Sequence, residues 1–229
     1  PPFIMSRHIG YLFIAPAFVI LFFTSIYPVA FSFYFSFFDW NWGNQENFIG
    51  LDNYLFLLTD PEFWTVIYNT FVFASVSCFL EVTIGIILAI FVDRIVFCST
   101  IIRTILILPL MVSGIIVSMI SKIMFNNLFG VIPYGLKQID IRSSFFGSTE
   151  AAMPTLIGVD VWWQTSFVFI IILAALQGIP NDTVEAAKID GASEWDITRF
   201  IRLPLIKPII FLVIIFRSID TLKIFDLVW

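Results

Sequence analysis

The chain has 229 residues, of which 59% are hydrophobic and only 13% charged, and its mean hydropathy is +0.97. An ordinary soluble domain is about one quarter charged, so this composition belongs to a polytopic membrane protein. A net charge of −5 without any basic run excludes a nucleic-acid binder. A single histidine, His8, and two cysteines at unrelated spacing, Cys78 and Cys98, leave no zinc set and no Ser-His triad.

The chain opens on Pro1 rather than Met, so further residues are expected before it. A span needs about 20 apolar residues, and five segments qualify, at roughly 11–36, 65–92, 104–125, 152–177 and 205–228. The first is too long for a signal-peptide core. Its A-x-A triplet, Ala15 to Ala17, lies at its start rather than after it, so it is expected to stay as a helix. Pro16 and Pro28 within it are tolerated where neighbours satisfy the freed carbonyls.

The connections set the orientation. Residues 37–64 hold five acids and no Lys or Arg, whereas Arg7, Arg94, Arg103, Lys188, Arg199, Arg202 and Lys207 fall before the first span or in 93–103 and 178–207. The positive-inside bias puts these basic segments, and the N-terminus, in the cytoplasm. The loops 37–64 and 126–151 then face outward, the latter despite Lys137 and Arg142. Trp40, Trp42, Trp64 and Trp162 fall near the outer boundary, as an aromatic belt should.

Polar residues inside apolar spans are expensive and mark functional sites by default. Glu81 lies mid-way along the second span, where a neutral carboxyl bonded to a neighbouring helix is the favoured reading. Asp160 lies inside the fourth, followed by Trp162, Trp163 and Gln164. An acid, an amide and indole faces suit a sugar, although an interfacial anchor would look the same. The last span carries Arg217, Asp220, Lys223 and Asp226, alternating in sign at every third residue, so neighbours can pair. Each such step turns the direction by about −60°, a poor surface for lipid and a good one for cavity lining or inter-subunit pairing.

Between the fourth and fifth spans stands the polar stretch 178–207. Asn181 or Asp182 can cap a short helix, with Glu185 three residues after Asp182, and Gly191 can take the positive φ that ends it. Ser193 starts a second helix, with Asp196 three residues on, and this helix is expected to stop before Pro204. Trp195 and Phe200 are expected to join this elbow to the protein's own helices. An amphipathic helix lying on the membrane surface fits the same residues.

The run "EAAKIDGASEWDITRFIRLP" resembles the EAA loop of the membrane subunits of bacterial ABC importers. Glu185, Ala186, Ala187, Gly191, Ile201, Leu203 and Pro204 meet that pattern without a gap. "FIGLDNYLFLLTDPEFWTVIYNT", "MFNNLFGVIPYGL" and "FRSIDTLKIFDLVW" are similar to the carbohydrate-type permeases of the maltose and glycerol-phosphate kind, so the resemblance covers essentially the whole chain.

The resemblance implies an all-α polytopic transmembrane bundle of the type I importer permease kind. It implies one permease domain over 1–229, five spans in this chain, a sixth beyond Trp229, and a cytoplasmic coupling loop at 178–204. The implied location is the bacterial plasma membrane. The coupling residues would be Glu185, Ala186, Ala187, Asp190, Gly191, Ile201, Leu203 and Pro204. Candidates for the solute pathway are Asp160, Trp163, Gln164, Arg217 and Asp220. Implied partners are a second homologous permease subunit, two copies of an ATPase, an extracytoplasmic solute-binding protein and membrane lipid. ATP and Mg²⁺ would sit on the ATPase, since no G-x-x-x-x-G-K-[ST] occurs here; this chain is expected to bind no cofactor or metal and to be no enzyme. A permease for a polyamine, amino acid or organic phosphate would share the EAA loop. An ion-coupled transporter using Glu81 and Asp160 would have no need of it.

Overall fold

The computed structural model describes residues 7–41, 47–95, 98–139 and 145–223; Trp42, Arg142, Asp226 and the side chains of Arg7 and His8 lie outside the described residues. The chain forms two compact units, Pro1–Ile67 and Tyr68–Trp229.

In the first unit, α1 (Arg7–Leu21), a π-helical stretch (Phe22–Ile26) and α2 (Tyr27–Phe35) run end to end. The widened turn lies just before Pro28, whose ring would otherwise strike the carbonyl of Thr24. There the Tyr27 N–H bonds Phe22 O, five residues back. The chain then reverses through β1 (Phe38–Asp39) and β2 (Asn47–Phe48), an antiparallel pair with Phe38 opposite Phe48. The short helix α3 (Asp52–Thr59) is tied to this ribbon by Asn53 Nδ2, which donates to the carbonyls of Ser36 (2.9 Å) and Phe38 (3.1 Å).

The long helix α4 (Pro61–Arg94) begins in the first unit and continues into the second. Its buried residues, among them Ala74, Ser77, Cys78, Glu81, Gly85, Ala89 and Val92, recur every three or four positions and so form one stripe. Many of them are small. Apolar surface gains nothing by leaving lipid for protein, so close backbone approach and dispersion must hold such helices together. The approach is tightest at Gly85, where a Cβ would lie 2.5 Å from Val168 Cγ1 of α8 (Thr149–Gln177). Val168, Phe169 and Ile172 of α8 and Val213 of α11 (Leu203–Leu222) complete this core. Ser148 caps α8, accepting from the Ala151 N–H.

Between α4 and α8 stand α5 (Ser99–Ile107), a 3-10 turn (Leu108–Met111), α6 (Gly114–Met124) and α7 (Val131–Lys137). The expected span 104–125 is not one straight helix, because the chain bends by 93° between Met111 and Gly114. Pro109 supplies no N–H, and Val112 and Ser113 are extended. Trp163 Nε1 donates to the freed Val112 carbonyl at 3.1 Å.

Phe13–Phe35, Pro61–Arg94 and Glu150–Gln177 are each long and apolar enough to cross a membrane, and the bent pair would add a fourth span. The fifth expected span, α11, has the length but carries Lys207, Arg217 and Asp220 within 20 residues. Five straight apolar spans are therefore not what the described residues form.

Candidate functional site

Two constellations stand out in the second unit. The first is a buried charge cluster where α4, α8 and α11 meet. Arg217 of α11 is 2% exposed, and Glu81 of α4 and Asp160 of α8 are fully buried. Arg217 Nε donates to Glu81 Oε2 at 2.6 Å and Nη2 to Glu81 Oε1 at 3.1 Å, a two-pronged contact that a guanidinium fork is shaped to make. Nη2 also reaches Asp160 Oδ2 at 3.4 Å, and Nη1 donates to Asp220 Oδ2 at 2.9 Å. The i,i+3 pairing of Arg217 with Asp220 agrees with the sequence pattern, and the Asp220 side chain is 66% exposed. Asp160 Oδ1 is buried without a hydrogen-bond partner.

Of the pathway candidates, Asp160, Arg217 and Asp220 therefore come together. Gln164 is buried one turn beyond Asp160 on α8. Trp163 is half-buried, packed against the apolar cluster of Phe73, Val117, Ile157 and Val159, with its N–H engaged at the helix break. Glu81 does bond a neighbouring helix, and its partner is a charged one. Nearby, a cavity of about 530 Å³ is lined by Ser118, Ser121, Lys122, Phe125, Asn126 and Leu156 among others, and by none of the five pathway candidates. No group of three or more His, Cys, Asp or Glu side chains among the described residues could hold a metal.

The second constellation is the elbow. Its first helix, α9 (Asn181–Ile189), begins after Pro180 without the expected side-chain cap from Asn181 or Asp182. Gly191 has φ +84°. Around it the Ala192 N–H bonds Ala187 O (3.0 Å) and the Gly191 N–H bonds Lys188 O (3.1 Å), the paired closure of a Schellman cap. Ser193 starts α10 (Glu194–Asp196) with a full capping box: the Asp196 N–H donates to Ser193 Oγ and the Ser193 N–H to Asp196 Oδ2. The Ser193 hydroxyl, which also donates to Asp196 Oδ2, and then the Ser193 N–H hold the Asp196 carboxyl below the usual aspartate range. Lys188, bridging the elbow to Glu194 at 2.9 Å, holds that carboxyl below the glutamate range.

The second helix does not stop before Pro204. It passes through a π turn (Ile197–Arg202) straight into α11, with Pro204 in the first turn, where a missing N–H is harmless. Trp195 and Phe200 do not face the protein's own helices, being 66% and 65% exposed; Ile197 and Thr198 are buried instead. Glu185, Ala186, Asp190, Gly191 and Pro204 are exposed, and Ala187, Ile201 and Leu203 half-buried. Sequence reasoning missed Asp93 and Arg94 at the end of α4. Arg94 Nη2 donates to Thr198 Oγ1 at 2.6 Å and to Glu194 O at 3.2 Å, and Asp93 Oδ2 lies 3.5 Å from Arg202 Nη1. Their only sequence signal was charge at the end of an apolar run.

Long apolar helices gathered around a buried ion cluster, with one polar elbow held rigid outside them, define a membrane-embedded permease. The chain belongs to the family of binding-protein-dependent transport system inner membrane components, whose model matches residues 81–228 and so includes both constellations. The chain is similar to the trehalose/maltose transport system permease protein of Thermococcus litoralis, with 33% identity over 223 residues, 96% of this chain and 76% of that protein. To the lactose transport system permease protein of Rhizobium radiobacter it is 34% identical over 224 residues, 96% of this chain and 74% of the relative. A crystal structure of a bacterial ABC transporter involved in the import of the acidic polysaccharide alginate matches with a TM-score of 0.82 and 26% identity, over 94% of this chain and 74% of that one. The protein is thus a multi-pass permease of the inner membrane.

Proposed function

We propose that this chain is one of two permease subunits of an ATP-driven importer, forming half the path for a sugar or sugar-like solute delivered by an extracytoplasmic binding protein. A separate ATPase, bearing ATP and Mg²⁺, drives it through the elbow at 178–204. The observation that carries this reading is the elbow itself. It is locked by the Schellman closure on one side of Gly191 and the capping box on the other, and among the described residues it presents Ile189 (86% exposed), Trp195 and Phe200 as largely uncovered apolar side chains. A surface of that kind is suited to a protein cleft. The carbohydrate assignment rests on the sugar-permease relatives.

A coupling element must be stiff, since slack would absorb the stroke. The run from Glu194 through the π turn to Leu222 is helical throughout, so a displacement of the elbow is delivered to α11 without a hinge at Pro204. Arg217 lies on that helix and is held by Glu81 of α4, so a shift of this pair against α8 alters the contact of the guanidinium with Asp160. Of this cluster the exposed Asp220 carboxylate is the group a solute hydroxyl would meet. The basic residues on 93–103 and 178–207 favour placing the elbow, and with it the N-terminus, in the cytoplasm.

The test is solute-stimulated ATP hydrolysis by the reconstituted complex with Gly191→Pro, which denies the backbone its positive φ and touches none of the pathway candidates. Stimulation is expected to disappear while the complex still assembles. Unchanged stimulation would refute the assignment.

A further inference from the structure

We infer that Asp93 and Arg94, the last two residues of α4 on either side of its helical surface, are positioning residues that clamp the elbow to α4, so that α4 and the elbow–α11 helix move as one lever. This rests on the coupling role proposed for the elbow and adds residues outside its motif.

Arg94 grips Thr198 Oγ1 and the Glu194 carbonyl, and Thr198 itself donates to that carbonyl at 2.8 Å. Thr198 is 1% exposed, so its hydroxyl has these partners in place of water. One turn further on, Arg202 faces Asp93, with side chains 13% and 15% exposed. A single contact would let the elbow swivel about it; two contacts a helical turn apart fix its direction. The second is the looser of the two, because Arg202 Nη1 makes no hydrogen bond and is held at 3.5 Å by charge alone. Roughly 20 Å back along α4 at 1.5 Å per residue, midway along that helix, Glu81 holds Arg217. The two helices are thus fastened at two levels, each time by an arginine.

Spin labels at Phe91→Cys on α4 and Arg199→Cys on the π turn, both exposed positions, report the separation directly. The exposed Cys98 is replaced by Ser, and the buried Cys78 is retained. Dipolar EPR on the assembled transporter, nucleotide-free and vanadate-trapped, should give one narrow distance common to both states. Arg94→Ala should raise the population of displaced elbows about tenfold, the change carried by about 1.4 kcal/mol of charge-assisted hydrogen bonding. Asp93→Arg should do likewise, and Asp93→Arg/Arg202→Asp should restore the narrow distance, which a merely misfolded elbow would not do. A separation that changes on trapping in the unmutated lever, or a charge swap that fails to rescue, overturns the clamp. If the ATPase co-purifies and Gly191→Pro uncouples it, that failure belongs to the clamp alone. If Gly191→Pro is silent, the coupling role itself has failed.

Discussion

Glu81→Gln keeps the shape of the side chain and removes the charge that faces Arg217. Glu81 supplies two of the contacts to a guanidinium that is 2% exposed, at 2.6 and 3.1 Å, while Asp160 supplies one at 3.4 Å. Breaking a buried pair from one side costs about 3–5 kcal/mol, because the surviving charge stays desolvated. Asp220, by contrast, is 66% exposed, and an exposed pair contributes at most about 1 kcal/mol. At about 2–4 °C per kcal/mol for a chain of this size, Glu81→Gln should lower Tm by at least about 6 °C, and Asp220→Asn by no more than about 4 °C. The assay is thermal loss of the monodisperse peak of the purified permease in mild detergent. Equal shifts for the two variants would refute the argument, since burial would then not decide the worth of each contact.

Three further outcomes are expected. Gly85→Ala puts a methyl 2.5 Å from Val168 Cγ1 and should destabilise by about 1–3 kcal/mol, whereas Gly158→Ala, with open space at its Cβ, should leave the same melting curve unmoved. The Asp196 cap works through a depressed carboxyl, so its contribution is complete above the ordinary aspartate value of about 3.9 and is lost as pH falls through the lower folded value. Hydrogen exchange across the elbow, corrected for intrinsic rates, should show protection falling in acid, and Asp196→Asn should flatten that dependence. Gly191→Ala meets no steric obstacle but retains the left-handed strain, about 1–2 kcal/mol, so it should reduce coupling less than Gly191→Pro, as read by ATP hydrolysed per solute transported.

The elbow was legible in the sequence because its signals are local: a glycine, a serine and an aspartate three residues on, at spacings that the backbone itself dictates. The Arg217–Asp220 pair was legible for the same reason. The Arg217–Glu81 pair joins positions 136 residues apart, and which buried carboxylate an arginine meets depends on how α4 and α11 pack, which no short window encodes. Trp195 and Phe200 were assigned inward because they are large and apolar, but hydrophobicity says that a side chain is to be covered without saying by which chain. The break at Val112–Ser113 lies in an apolar run where Pro109 and the Ser113–Gly114 pair are its local marks, too few to interrupt the hydropathy.

The charge load of α11 bears on how the protein is made. A nascent helix must leave the insertion machinery for lipid, and each Lys, Arg or Asp near its centre opposes that transfer by about 2.5–3.5 kcal/mol. Lys207 lies four residues and Arg217 five residues from an end of α11, with Asp220 in the last turn, and of the three only Arg217 is buried. Its partner Glu81 precedes it in the chain by 136 residues and Asp160 by 57, so both are synthesised before Arg217. The order of synthesis therefore prepares the counter-charge first, and α11 enters the bilayer as the companion of α4 and α8 rather than as an independent segment.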